Sequence, residues 1–223
     1  DFSMAFDRLT PDAVWGCNSA LRWLWNNQQQ VSHGFALAPE AEVLEDFRPF
    51  PPVQYYLGSG VYHPLAKVLT ARNRKVWFFH MLLGEENLGI SDERAWYRKL
   101  YPTALCVTPS GGFNVVNIAV AVAIGMGFSR IAVVGADCQL KGDQMYADGR
   151  TAKEAFGDDV ALLTAPLKEG GEIVSRPEML LSAVHLYDLA KRFPDRILLV
   201  GDTLPTYLMR TPEEVWRPLM PQL

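Results

Sequence analysis

The chain sets glycine beside small polar residues at several points, a pattern suited to holding phosphate. Ser110-Gly111-Gly112, followed by Phe113 and Asn114, opens an apolar run over residues 115–124. Two adjacent glycines tolerate φ > 0 and let a ligand approach the bare backbone. If the run is a helix, the loop and its first turn aim free N–H groups at one point, where the positive end of the dipole also lies. The plainer alternative is a turn feeding a core helix, because glycine pairs are common turn residues. Repetition favours the ligand reading. Gly16-Cys17-Asn18-Ser19, Gly58-Ser59-Gly60, Gly135-Ala136-Asp137 and Gly201-Asp202-Thr203 each follow a short apolar run.

Acid–base groups stand near the same turns. His80 closes the apolar run 76–79 and His63 follows the Gly58 turn, so either could serve a cleft as general base. His185 lies between Val184 and Leu186 in an amphipathic stretch and reads as a structural residue. Asp137 and Asp202 both end apolar runs and could share a magnesium ion through water and substrate phosphates. Each could equally cap a helix or bind loop backbone. No G-x-G-x-x-G opens a helix, and there is no Walker A lysine motif.

These residues must be positioned by the elements before them. Residues 13–15, 33–37, 53–57, 76–79, 103–107, 131–134 and 196–200 read as strands, and 20–27, 62–71, 92–100, 115–124, 177–192 and 212–216 as helices. Asn18 or Ser19 is placed to cap the first helix. Arg72, Arg74 and Lys75 read as charges complementing the dipole at the end of helix 62–71. The alternation predicts an α/β, Rossmann-like fold: a mainly parallel sheet with helices on both faces. Ligands of such sheets sit beyond the carboxyl ends of the strands at a topological switch point, where the glycine turns would gather. Residues 141–174 combine scattered glycines with mixed charge and weak periodicity, which predicts a lid insertion. Arg150, Lys153 and Lys168 could swing from it onto a phosphate. The whole chain, residues 1–223, is expected to form a single α/β domain.

Bulk properties narrow the function classes. A chain of 223 residues, 49% hydrophobic and 21% charged, can bury a substantial core. Its net charge of −4 gives no overall basic footprint for nucleic acid. Cys17, Cys106 and Cys138 are odd in number and form no C-x-x-C pair, which fits reduced thiols in a cytoplasmic protein. The apolar run 115–124 falls far short of the ~20 residues that span a bilayer, so no transmembrane segment is expected. No signal peptide is visible, and the start at Asp1 is compatible with removal of an upstream segment.

Val14-Trp15-Gly16-Cys17-Asn18-Ser19-Ala20-Leu21, taken with Ser110-Gly111-Gly112 through Asp137, resembles the motility-accessory-factor group of Rossmann-like proteins. That group includes the 6-hydroxymethylpterin pyrophosphokinase-like proteins. The same blocks are similar to bacterial lipooligosaccharide sialyltransferases, and the resemblance covers roughly residues 1–140. Ser3-Met4 stands where the family has Ser-Leu of a Gly-Pro-Ser-Leu loop, with Asp1-Phe2 in place of Gly-Pro. The resemblance implies that Asn18 contacts ribose or phosphate, that Ser110, Gly111 and Gly112 hold the phosphates, and that Asp137 lies at the cleft floor. The sialyltransferases carry their base after the Gly-x-Asp strand. Here no histidine lies between Gln139 and Val184, which leaves His63 and His80.

The expectation is therefore a transferase, glycosyltransferase-like, whose partner is a nucleotide or nucleotide sugar. Its ligand contacts are Asn18, Ser19, Gly58, Ser110, Gly111, Gly112, Asn114 and Asp202, and its catalytic groups come from His63, His80 and Asp137. A magnesium-dependent diphosphotransferase of the hydroxymethylpterin type is the alternative. A non-catalytic nucleotide-binding protein that keeps the fold is the rival outside enzymology.

Overall fold

The computed structural model describes residues 11–82, 90–102, 105–107, 114–140, 142, 144, 151, 153–154, 161–166 and 172–217. The chain divides into two compact units, one of residues 11–109 and the other built around residues 110–223.

The first unit is a five-stranded parallel sheet. Strands β1 (Trp15–Cys17), β2 (His33–Ala36), β3 (Gln54–Gly58), β4 (Val76–Met81) and β5 (Leu105–Val107) lie side by side in chain order. Each neighbouring pair is parallel, with Trp15 opposite His33, Phe35 opposite Tyr56, Leu57 opposite Phe78 and His80 opposite Cys106. The connecting helices are α1 (Ser19–Asn26), α2 (Val43–Asp46), α3 (His63–Ala71) and α4 (Ile90–Leu100). When consecutive strands are neighbours and every crossover is right-handed, each helix returns to the same face.

The packing follows that rule. Ala36, Tyr55 and Leu57 point to one face and cluster with Leu21 of α1, Val43 of α2, and Leu65 and Leu69 of α3. Tyr97 of α4 stacks on His80 of that same face. Gly16 is required there, because a Cβ would stand 2.5 Å from the Leu21 Cα. On the opposite face Trp15 stacks on Phe35 and Tyr56 with centroids 5.8 and 5.0 Å apart, and Phe35 on Phe79 at 4.9 Å. Such aromatic neighbours across strands stabilise a sheet pair by about 0.2–1 kcal/mol each. The helices expected on both faces thus lie on one in this unit, among the described residues. The strand order also contains no reversal, so the described strands of this sheet form no switch point. What the sheet offers instead is its carboxyl edge, where the segments that leave β1, β2 and β3 stand side by side.

The second unit contains α5 (Val115–Gly125), β6 (Ile131–Val134), β7 (Leu163–Pro166), β8 (Glu172–Ser175), α6 (Pro177–Arg192), β9 (Ile197–Val200), α7 (Leu204–Arg210) and α8 (Glu213–Trp216). β6 and β9 pair in parallel, Ile131 opposite Ile197. α5 is the buried helix its apolar run predicts, and Asn117 Nδ2 donates to the Ser182 carbonyl at 3.0 Å to tie it to α6. Trp216 is fully buried and meets Tyr187 edge-on at 4.9 Å.

Three elements depart from the sequence reading. Residues 40–46, acidic and given no element from the sequence, include α2, anchored by buried Val43. α7 begins with Leu204-Pro205, where proline occupies the first turn without breaking a hydrogen bond. Within 141–174, β7 and β8 form an antiparallel hairpin with Leu163 opposite Ser175. Its second strand is tied down: Leu140 N donates to the Val174 carbonyl at 2.8 Å, and Ser175 Oγ to the Cys138 carbonyl at 2.6 Å. Arg150 and Lys168 lie outside the described residues, and Lys153 is exposed.

Candidate functional site

The carboxyl edge of the five-stranded sheet brings together a serine, a histidine and a carboxylate from three elements. The Gly58-Ser59-Gly60 turn leaves β3, and Ser59 N donates to the Phe79 carbonyl at 2.9 Å, extending the β3–β4 ladder past the strand. That bond holds Ser59 beside the end of β4. Its hydroxyl lies 2.7 Å from His80 Nδ1. On the other side of the ring, His80 Nε2 lies 3.1 Å from Glu93 Oε1 of α4. Both members of the His80–Glu93 pair are largely shielded, with side chains 19% and 14% exposed, whereas Ser59 is open to solvent.

The local sequence accounts for this convergence. Glu93 and Tyr97 are four residues apart on α4 and share one face of the helix. That face lies over β4, and the Tyr97 ring rests parallel on His80 at 3.8 Å. Burial first, then the neighbouring Tyr101 and Cys106 side chains, hold the Tyr97 phenol above its usual range, so it is a neutral ring.

The hydrogen-bond pattern fixes the tautomer. Ionised Glu93 only accepts, so His80 Nε2 carries the proton and Nδ1 presents its lone pair. Ser59 then donates to Nδ1. A nucleophilic or relaying hydroxyl, a base and an orienting carboxylate in this order form the arrangement that generalised catalytic triads use.

The sequence expectations fall out unevenly on this edge. A Cβ at Gly58 would lie 2.7 Å from Leu37 Cδ1, the end of a side chain that can move aside. His63 opens α3, is exposed, and lines a shallow groove with Ala66, Lys67 and Thr70. It makes no bond to His80. Asn18 stands at the N-cap of α1, but its side chain does not cap the helix. It holds φ 45° and ψ −125°, and its Oδ1 is buried without a hydrogen-bond partner. Ser19 is the first residue of α1. Sequence reasoning missed Ser59 and Glu93 as functional groups. The one signal for Glu93 was its spacing from Tyr97 on the helix after the strand that ends at His80.

In the second unit, Asn114 caps α5, its Oδ1 accepting from Val116 N at 2.8 Å. Asp137 and Asp202 follow the paired strands β6 and β9, and the Asp137 carbonyl accepts from Leu204 N at 3.0 Å. Asp202 is exposed and Asp137 half-buried. Among the described residues no group of three or more His, Cys, Asp or Glu side chains could hold a metal ion. Burial pushes the Cys138 thiol up to about 12, with Asp137 adding to the effect, so it is no nucleophile at neutral pH. Ser110, Gly111 and Gly112 lie outside the described residues.

No protein-family model, curated protein or solved structure matches this chain. No helix among the described residues is long and apolar enough to cross a membrane.

Proposed function

We propose that the protein is a glycosyltransferase-like enzyme that takes a nucleotide sugar at the carboxyl edge of the five-stranded sheet. The observation that carries this reading is the hydrogen-bonded chain from Ser59 through His80 to Glu93. An acceptor hydroxyl donating to exposed Ser59 Oγ loses its proton as its oxygen attacks the anomeric carbon. Ser59 passes its own proton to His80 Nδ1, and Glu93 stabilises the imidazolium that forms. The bond from the anomeric carbon to the nucleotide breaks, and the nucleotide departs with the electron pair. General-base assistance of this kind contributes about 10²–10⁴-fold in rate. The resemblance of the Cys17-Asn18 turn to sialyltransferases supports the choice of donor. The orphaned Asn18 oxygen supplies an acceptor for a ribose hydroxyl on the same edge.

Magnesium-dependent diphosphate transfer of the hydroxymethylpterin type is the second reading. It is favoured by Asp137 and Asp202 at the ends of paired strands, where two carboxylates could hold magnesium together with substrate phosphates.

Thermal shift against nucleotides and nucleotide sugars, with and without magnesium, is the first test, because a ligand that binds the native state raises its melting temperature. Nucleotide release is then compared among wild type, Ser59→Ala and His80→Gln. The proposal expects release to fall by about 10²–10⁴-fold in both variants with binding kept within a few-fold. Release that is unchanged overturns the relay. Binding with no turnover in the wild type leaves the non-catalytic protein, and a strict magnesium requirement with ATP moves the assignment to diphosphate transfer.

A further inference from the structure

The chain of bonds from Ser59 to Glu93 leaves one polar group of the same turn unused. Val61 N donates to the Gly58 carbonyl at 3.0 Å, which makes Gly58-Ser59-Gly60-Val61 a β-turn with Ser59 and Gly60 at its tip. The Phe79 carbonyl takes Ser59 N, whereas the Gly60 N–H has no hydrogen-bond partner among the described residues. Gly60 is exposed, and a Cβ there would meet nothing within 4 Å beyond its chain neighbours, so the space beside it is open. A free N–H directly after a serine that is bonded to a histidine is the oxyanion donor of acyl-transfer sites.

The turn also joins a strand to a helix, since β3 ends at Gly58 and α3 opens at His63. Nucleophilic serines of α/β sheets stand on strand-to-helix turns of this kind, which hold the hydroxyl out at the carboxyl edge. Ser59 is exposed, while the base and carboxylate behind it are shielded. The imidazole offers Nδ1 to the hydroxyl, and either ring nitrogen serves as base when the other is held protonated. Nucleophile, base, orienting carboxylate and oxyanion donor therefore meet at one turn.

We infer that Ser59 is also a covalent nucleophile, and that the protein hydrolyses short-chain acyl esters at this turn. Ser59 Oγ attacks the ester carbonyl carbon as its proton passes to His80 Nδ1. The carbonyl oxygen takes the displaced electron pair and accepts from the Gly60 N–H. The bond to the alcohol oxygen then breaks, and the alcohol leaves with the proton from His80. Water adds to the acyl group on Ser59 and gives a proton to Nδ1. The bond to Oγ breaks, Oγ regains that proton, and a carboxylic acid departs. Ester and water become acid and alcohol with no other reactant. A short acyl group fits because Ser59 and Gly60 are both exposed, so a long chain would gain no burial beside them. The inference rests on the Ser59–His80–Glu93 geometry and not on the choice of a nucleotide-sugar donor. In glycosyl transfer Ser59 only relays a proton, whereas here it carries the acyl group.

The test treats the full chain with a fluorophosphonate and, separately, with p-nitrophenyl acetate. Cys106 stands opposite His80 on β5, so the modified residue is read from peptide masses. The fluorophosphonate should leave a single adduct, on Ser59. The acetate should give a burst of p-nitrophenol followed by steady release. Ser59→Ala, with circular dichroism unchanged, should show neither, and His80→Gln should slow both by about 10²–10⁴-fold. No adduct, an adduct on another residue, or release from Ser59→Ala at the wild-type rate overturns the inference. So does a burst with no further release, because water must regenerate Ser59. Nucleotide release is measured on the same proteins without ester. An adduct on Ser59 in a protein that binds no nucleotide sugar keeps the esterase and removes the transferase, and nucleotide release without an adduct does the reverse.

Discussion

His80 and Tyr97 stack face to face, with ring centres 3.8 Å apart and planes 6° from parallel. The stack fixes the plane of the imidazole, which must satisfy Ser59 at one nitrogen and Glu93 at the other. Two hydrogen bonds set the rotation of the ring within its plane, and the phenol prevents it from tipping. The three contacts together define one orientation.

Tyr97→Ala should therefore lower turnover by roughly tenfold, because a misplaced base loses more than its binding contacts. KM should change little, since Tyr97 lies behind the histidine. Tyr97→Phe keeps the ring and should recover most of the rate. Steady-state kinetics of the two variants decides between positioning and bulk stability: equal losses in both would assign the effect to the phenol oxygen instead.

Much of this arrangement was legible and its centre was not. The apolar runs before Gly58 and His80 marked β3 and β4, and the spacing of strands and helices gave a parallel α/β sheet. Ser59 and His80 stand 21 residues apart, and His80 and Glu93 another 13. Only the crossovers bring them together, so no local spacing announces the group. Charge alone also did not show what Arg74 binds after α3. α3 ends at Ala71, and Arg74 Nε donates to the Phe50 carbonyl at 3.2 Å rather than serving only the helix dipole.

Acidification should destabilise the protein before any carboxylate is protonated. Burial, and then Lys75, lowers His33 from 6.5, and burial lowers His185 against the opposing pull of Asp188. A histidine with a depressed folded value contributes stability above its unfolded value of 6.5, and that contribution is lost as pH falls through the folded value. Urea midpoints should fall between about pH 7.5 and pH 5.5, and less steeply in His185→Gln. Identical slopes in the two proteins would remove His185 from the account.

A second acid step belongs to α8. Bonds from Arg217, Lys191 and Tyr187, in that order, lower the Glu213 carboxyl from 4.5 to about 2. Lys191 Nζ and the Tyr187 hydroxyl reach Oε2 at 3.1 and 3.0 Å, beside the buried Trp216. The depressed value means that stability is present above 4.5 and is lost as pH falls toward 2. Glu213→Gln should match the wild type near pH 2 and be the less stable protein above pH 4.5. Trp216 emission followed through acid titration reads the step directly, and coincident curves would show the network to contribute nothing.

Asn18 should show that stability and function compete at the carboxyl edge. Its φ of 45° with ψ −125° is a conformation native to glycine, and its Oδ1 is buried without a partner. Such backbone strain costs about 1–3 kcal/mol, and an unsatisfied buried acceptor adds about 1–3 kcal/mol. Asn18→Gly relieves both, against an entropy cost of about 0.5–1 kcal/mol, and should stabilise the protein by roughly 1–5 kcal/mol. Asn18→Ala removes the oxygen but keeps the strain, so its gain should be smaller. If the oxygen is held ready for a ribose hydroxyl, both variants should lose roughly tenfold or more in nucleotide affinity, glycine despite its higher stability. Denaturation and nucleotide titration on the same samples separate the terms. A stabilised Asn18→Gly protein that binds nucleotide as well as the wild type would show that the strain serves the turn into α1 and not a ligand.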